Sequence, residues 1–304
     1  MIKESHIKKL IDCSYCCVEA VAWGNIQAMH EESGLSIPML QKMKIRANNL
    51  IGTRFLSGSE WMEAEELYPK LSIGCIALDE IMDGGVEAGQ ITEIFGKDGT
   101  GKTQMSMYLA FRCALPVEQG GLGKKAILLD REGNVTKKRI KNFVTSYKGT
   151  IDAAAVLGNV HIVRTINTED LKAKFLTCGQ LLSTEQYGLL VVDGLMTHFH
   201  AAFDYCTELS ERQQFVLAFM NLLRRFAREH VIAVVLTNQV VASLDDQGVK
   251  AAGGNVLSHN VSTIIELTIN KGTRLAKMFQ SPYLPPKNAK FEIMQEGIVN
   301  VGES

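Results

Sequence analysis

The sequence lacks any large excess of charge. Its 32 Lys and Arg stand against 33 Asp and Glu, a formal net charge of -1. No global positive field draws such a chain to nucleic acid or to a membrane surface, although a local basic groove is compatible with a neutral whole. It also lacks an uninterrupted apolar run of membrane-spanning length; the segment GLLVVDGLM is broken by Asp193. The start, MIKESHIKKL, lacks the apolar centre of a secretory leader. There is no internal repeat and no low-complexity tract. Seven cysteines are present, and Cys13, Cys16 and Cys17 form a C-x-x-C-C cluster. A zinc site would need a second pair of ligands at similar spacing, and none stands nearby. The cluster is therefore expected to be reduced thiols on a helical segment, in a reducing compartment.

What is present is 304 residues, 46% of them hydrophobic. That suffices for one large domain, or for one large and one small. Residues 1–50 read as helices. Ile7, Leu10 and Ile11 fall on one face, and Val18, Val21 and Ala22 on another. Gly34 supplies a turn, and Ser36 is placed as an N-cap before Pro38. The pattern allows a helix-hairpin-helix unit or a plain helical bundle and does not choose between them. Residues 51–68 show no sustained period and read as a linker. Because Phe55 and Trp61 lie in it, the linker is expected to contain a docking segment.

From residue 69 onward the pattern becomes strand, helix, strand, helix. QITEIFG, KKAILLD, VHIVRTI, GLLVVDG and VIAVVLTNQ are short, apolar and β-branched, as buried parallel strands should be. The tail after Ser262 reads as antiparallel strands with turns. The fold class of residues 69–304 is therefore α/β, a doubly wound, mostly parallel sheet.

Between the first of these strands and the helix TQMSMYLAF stands Gly96-Lys97-Asp98-Gly99-Thr100-Gly101-Lys102-Thr103, followed by Gln104. It matches G-x-x-x-x-G-K-[ST] in the strand-to-helix setting that this motif requires. The glycines let backbone N–H groups turn inward around phosphate oxygens, and the helix N-terminus adds its positive dipole. Lys102 can reach the β and γ phosphates, and Thr103 can hold Mg²⁺ through its hydroxyl. Asp193 closes an apolar strand and is expected to be the second group at that metal rather than a helix cap. Glu132, in AILLDREG, ends the next strand after the loop. Position alone leaves it either the base for an attacking water or a solvated acid. Thr237-Asn238-Gln239 ends another strand, where polar groups face the ligand crevice of such sheets.

Four motifs, GKDGTGKT, LDREG, LLVVDG and LTNQVV, stand in one order, with GGVEAGQITEIFG before the first and ELSERQ after Asp193. Together they resemble the RecA/RadA family of DNA recombinases, most closely its archaeal and eukaryotic branch, over essentially the whole chain. The resemblance implies a RecA-like P-loop ATPase core and a DNA-dependent ATPase. It implies self-assembly into a helical filament or ring on single-stranded DNA, ATP and Mg²⁺ as cofactors, and pairing with double-stranded DNA. By position it makes Glu132 the water-activating glutamate and Gln239 the γ-phosphate sensor. Arg139 becomes the arginine that stacks on adenine, and Pro285 part of the segment capping ATP across an interface. His259 becomes the histidine linking a neighbour's nucleotide to the DNA loops. The first DNA loop would run from about residue 198 to 207 and the second from about 240 to 253. The chain departs from the family in these loops. His200 and Cys206 stand where arginines are usual, while Arg212 is retained. Lys250 is accompanied by Asp245 and Asp246, and Leu244 holds the place of an apolar wedge. The oligomerisation signature Phe-x-x-Ala is here Phe55-Leu56-Ser57-Gly58, and Gln280 replaces an acid of the ATP cap.

Three functions are compatible with these residues. The first is a strand-exchange recombinase of the nucleus. The second is a recombinase paralogue that assists other recombinases or mediators without exchanging strands. The third is a P-loop kinase or signalling ATPase unrelated to DNA; it would need an arginine-rich lid, which the sequence lacks.

Overall fold

A computed structural model of the chain describes residues 2–13, 15, 18–51, 57–66, 68–147, 150–197, 209–242 and 249–302. The chain divides into two compact units, residues 1–68 with 169–186, and residues 69–168 with 187–304.

The first unit begins with α1 (Glu4–Asp12), α2 (Val18–Trp23), α3 (Ile26–Ser33), α4 (Ile37–Ile51) and α5 (Gly58–Glu65). Asn25 caps α3, its side chain accepting from the N–H groups of Gln27 and Ala28. Gly34, in the left-handed region at φ 65°, ends that helix. The Ser36 carbonyl then accepts from the N–H groups of Met39 and Leu40 to open α4. The core consists of Leu10, Tyr15, Ala20, Met29, Leu35, Leu40 and Met43. Ile7, Ile11 and Val18, read as members of two apolar helix faces, are exposed. A core this small cannot cover every apolar side chain of the helices around it. The expected irregular linker contains a regular element, α5. Ser57 and Glu60 close a capping box: Ser57 Oγ accepts from the Glu60 N–H at 3.3 Å and Glu60 Oε2 from the Ser57 N–H at 2.7 Å. Trp61 and Met62 on this helix are exposed. Phe55 lies outside the described residues, as do Cys16 and Cys17.

The second unit runs β1 (Lys70–Leu71), α6 (Ile76–Ile81), β2 (Val86–Glu87), β3 (Ile91–Gly96), α7 (Lys102–Ala114), β4 (Lys125–Asp130), α8 (Lys137–Ser146), α9 (Ala153–Gly158) and β5 (Val160–Arg164). α10 (Thr168–Thr184) follows in sequence; from Glu169 onward it is grouped with the helical unit, although it falls inside the expected core 69–304. The chain continues with β6 (Tyr187–Asp193), α11 (Leu209–Glu229), β7 (Ala233–Asn238), β8 (Val240–Ala242), β9 (Val249–Ala251) and α12 (Gly254–Ser258). It ends with β10 (Thr263–Asn270), β11 (Thr273–Gln280), β12 (Asn288–Ile293) and β13 (Ile298–Asn300).

Nine strands form the main sheet in the order β13-β12-β11-β10-β3-β7-β6-β4-β5. From β10 to β5 every pairing is parallel, and β11 to β13 add an antiparallel edge. This is the α/β class read from the alternation of apolar runs and helical segments. The central strands β3, β6 and β7 are buried at every residue, because helices cover both faces of a parallel sheet. Against one face lies α7, buried from Met105 to Ala114 and packed with Ile94, Leu128, Val191 and Val235. Register then decides where the functional motifs meet. Asp130 is paired with Asp193, Val192 with Leu236, and Phe95 with Asn238. The carboxyl ends of β3, β4, β6 and β7 therefore end side by side, which is where ligands bind in open α/β sheets.

Candidate nucleotide site

The turn between β3 and α7 is shaped by its glycines. Gly99 and Gly101 have φ of 79° and 111°. A side chain is strained there whatever the space around it. At Gly96 the constraint is contact: an added Cβ would lie 2.3 Å from the Leu267 carbonyl oxygen. Inside the loop, Lys102 Nζ donates to the carbonyls of Gly96 at 2.8 Å and Lys97 at 3.1 Å. Thr100 Oγ1 donates to the Lys97 carbonyl at 2.8 Å. Burial lowers the Lys102 pKa, and the negative charges of Asp98, Glu132 and Asp193 oppose that shift. The lysine is thus a partly desolvated cation over the opening of α7, where the helix dipole also favours an anion. Gln104, on the first turn of α7, accepts from Arg139 Nε at 2.6 Å.

Beside the loop, Asp193 ends β6 with 1% of its surface exposed. Its carboxylate accepts from Thr103 Oγ1 at 2.9 Å, Ser106 Oγ at 3.2 Å and Thr237 Oγ1 at 2.6 Å. Thr237 in turn accepts from the Gly194 N–H at 2.8 Å. Burial raises the Asp193 pKa, and the hydrogen bonds from Thr237 and Thr103 work against it. Sequence reasoning missed Ser106. Its signal was available: one helical turn beyond Thr103, it shares that residue's face.

Glu132 and Gln239, read from different motifs 107 positions apart, face each other. Gln239 Nε2 donates to Glu132 Oε1 at 3.4 Å, and Asn134 Nδ2 donates to Glu132 Oε2 at 2.8 Å. Both residues are exposed at the mouth of the site. Asp130, two residues before Glu132, instead shapes the turn, accepting from the N–H groups of Gly133 and Val135.

Arg139, on α8, is held by more than the stacking role implied for it. Its guanidinium lies 4.4 Å from the Phe143 ring centroid, so one face is already covered. Nη1 donates to the carbonyls of Met294 at 2.6 Å and Gln295 at 2.9 Å. His259, after α12, and Pro285, after β11, are both exposed. His200 and Leu244 lie outside the described residues. For Arg212, in α11, and Lys250, in β9, the description covers the backbone alone.

One buried acid had no counterpart in the sequence reasoning. Glu93, in the middle of β3, is 0% exposed, and Oε1 accepts from Asn238 Nδ2 at 2.7 Å. Burial raises its pKa from 4.5 to about 7, against the lowering effect of that hydrogen bond. Between these two values the folded protein binds more protons than the unfolded chain. Glu93 therefore makes stability fall as pH rises through that window, and contributes no slope below or above it. The shift corresponds to about 3 kcal/mol at most. Glu93→Gln should flatten this part of the profile. Chemical denaturation at pH 5, 6, 7 and 8 is the check, and parallel profiles for wild type and variant would refute the assignment.

Comparison with known proteins matches residues 66–301 to the family model described as Rad51. The chain is 34% identical over 303 residues to "DNA repair protein RAD51 homolog B" of Zea mays, covering 97% of this chain and 88% of that protein. It is 34% identical over 309 residues to "DNA repair protein Rad51 homolog" of Drosophila melanogaster, covering 100% and 91%. It is 33% identical over 303 residues to "DNA repair protein rhp51" of Schizosaccharomyces pombe, covering 98% and 82%.

Proposed function

This chain belongs to the Rad51 family of DNA-dependent ATPases of recombinational repair, and we propose on that footing that it is an ATP-dependent recombinase. It would assemble on single-stranded DNA and pair that strand with a homologous duplex. The observation that carries this reading is the meeting of Lys102, Thr103, Asp193, Glu132 and Gln239 at the strand ends of one sheet, in a chain that aligns with relatives of the family over nearly its whole length. The family match removes the kinase alternative.

The residues fit ATP and Mg²⁺. The glycine turn and the start of α7 present backbone N–H groups where phosphates would lie, and Lys102 supplies the cation. Thr103 Oγ1 and Asp193 Oδ2 are oxygen donors 2.9 Å apart. Magnesium prefers such donors at about 2.1 Å in octahedral geometry, whose adjacent corners are about 3 Å apart. Thr103 and Asp193 would hold the ion, Asp193 in its ionised form, with Thr237 and Ser106 fixing the carboxylate's orientation. Bound there, the metal would neutralise phosphate charge. Glu132 would orient and deprotonate the attacking water, and Gln239 would respond to the γ-phosphate. Arg139 would present its uncovered face to the base. His259, Pro285 and the segment containing Phe55 and Gly58 would act across the contact between successive copies. A nuclear setting accords with the repair role named for the eukaryotic relatives. Among the described residues no helix is long and apolar enough to cross a membrane.

The depleted cations of the two DNA loops favour a second possibility, an accessory paralogue that binds ATP without exchanging strands. His200, Arg212 and Lys250 are the candidate phosphate contacts, Leu244 the candidate wedge between bases, and Asp245 and Asp246 oppose them. ATP turnover with and without single-stranded DNA separates the readings. Stimulation is expected of the recombinase, and its absence replaces that reading with the paralogue. Binding should also depend weakly on salt. The two permanent cations, Arg212 and Lys250, would neutralise two phosphates per protomer and give a slope of about -1.4 in log K against log salt. A slope several times steeper would show that another basic surface carries the DNA.

A further inference from the structure

Asn238 is fully committed. Its Nδ2 donates to Glu93 Oε1 at 2.7 Å and to the Ala252 carbonyl at 2.6 Å, while its Oδ1 accepts from the Gln239 N–H at 2.8 Å. The Ala252 N–H donates to the Gln239 carbonyl at 2.9 Å. Between these bonds β8 and β9 pair antiparallel, Val240 with Ala251 and Val241 with Lys250. The side chain of Asn238 therefore closes the base of the arm that leaves the sheet at Gln239 and returns at Ala252. Glu93 holds that side chain from below, through one oxygen, on the strand that ends in Gly96. Its other oxygen, Oε2, is buried without a hydrogen-bond partner among the described residues. A carboxyl buried in this way is costly and unsuited to its surroundings except as an acceptor for Asn238.

We propose that Glu93 is a positioning residue. Through Asn238 it sets both the backbone of Gln239, whose side chain faces Glu132, and the closure of the arm at Ala252. It thereby ties the nucleotide pocket to the arm. An apolar side chain at position 93 would leave one Asn238 N–H buried without an acceptor. The amide would then turn away to find another, releasing Gln239 and Ala252 together. The inference rests on the reading of residues 240–253 as a DNA-contacting segment for its functional consequence, but not for its structural one.

The test compares wild type with Glu93→Leu and Glu93→Gln. Glutamine keeps an oxygen for Asn238 and cannot ionise. Amide hydrogen exchange reports the structural half. Protection of the Ala252 N–H should fall about tenfold or more in the leucine variant and be restored by glutamine. ATP turnover reports the functional half. In Glu93→Leu the ratio of DNA-stimulated to basal turnover should fall to near one while the KM for ATP moves less than about twofold, and Glu93→Gln should recover the ratio. Should Glu93→Leu fail to fold, Asn238→Ala breaks the same link from the other side and should give the same loss of Ala252 protection. Unchanged protection at Ala252 in the folded apolar variant, or a glutamine variant as impaired as leucine, overturns the proposal. A wild type that DNA does not stimulate refutes the recombinase reading instead, and the exchange measurement still decides the role of Glu93.

Discussion

Lys102→Ala is expected to melt where wild type melts without nucleotide, and to gain nothing when MgATP is added. Two effects oppose each other at this residue. Lys102 bonds to the carbonyls of Gly96 and Lys97, so its removal loses two hydrogen bonds. Gly96 is buried at the end of β3, but Lys97 is exposed and the Lys102 side chain only partly buried, so water can take the place of the ammonium and the cost to the fold is small. For the ligand the change is large. The lysine is a partly desolvated cation whose pKa burial has lowered, whereas the other lysine of the loop, Lys97, is exposed to solvent. Nucleotide at 100 times its dissociation constant stabilises wild type by about 2.7 kcal/mol, which is roughly 5 °C for a domain of this size. The variant should show less than about 1 °C under the same conditions, since its affinity falls beyond the concentration used. Thermal unfolding with and without a non-hydrolysable ATP analogue makes the measurement. A shift equal to that of wild type would show that the glycine turn is not the phosphate site.

Glu132→Gln is expected to bind ATP as wild type does and to turn it over about 10²- to 10⁴-fold more slowly, the range ascribed to a positioned general base. The amide keeps the shape of the side chain. It still offers an oxygen to Gln239 Nε2 or Asn134 Nδ2, the two donors that hold the carboxylate. What it loses is the capacity to take a proton from water. It also removes a negative charge that raises the pKa of both Lys102 and Asp193, so Asp193 ionises more readily in the variant. Metal and nucleotide binding should therefore be preserved or slightly strengthened, and the ATP-bound, DNA-bound state should last longer. Single-turnover hydrolysis on single-stranded DNA, with nucleotide affinity measured separately, is the decisive pair. Unchanged turnover would leave Glu132 a solvated acid at the mouth of the site. A fall in affinity matching the fall in turnover would make it a binding residue.

Both variants probe residues that are legible in the amino-acid sequence, and the reason lies in chain geometry. Gly96 to Thr103 is one local turn, and its requirements are met within eight residues: glycine where φ is positive, lysine and threonine where a helix opens. Asp193, Glu132 and Gln239 are legible because each ends an apolar run. In a parallel sheet the carboxyl ends of strands share one side. The helix α5 is legible in principle too, through its Ser57–Glu60 capping box, but the lack of apolar period hides it. Of the face formed by Ile7, Leu10 and Ile11 only Leu10 is buried, since a helical period names a face and not the size of the core it meets.

The sequence by itself determined the class of the sheet, the glycine turn that opens α7 and the acids at the strand ends, because each is encoded in contiguous residues by a local period or a steric demand. The tertiary structure alone decided how these groups are held. Parallel register set Asp193 beside Thr237 and Asp130, and the packing of α7 on the sheet turned Ser106 onto the same carboxylate. Register also placed the acid of β3 under an amide 145 positions away, and the fold brought the carbonyls of Met294 and Gln295 to Arg139. Pairing of that kind depends on which strands become neighbours and at what offset. No local pattern carries that information, since sliding a strand by one residue would send that strand's side chains to the opposite face.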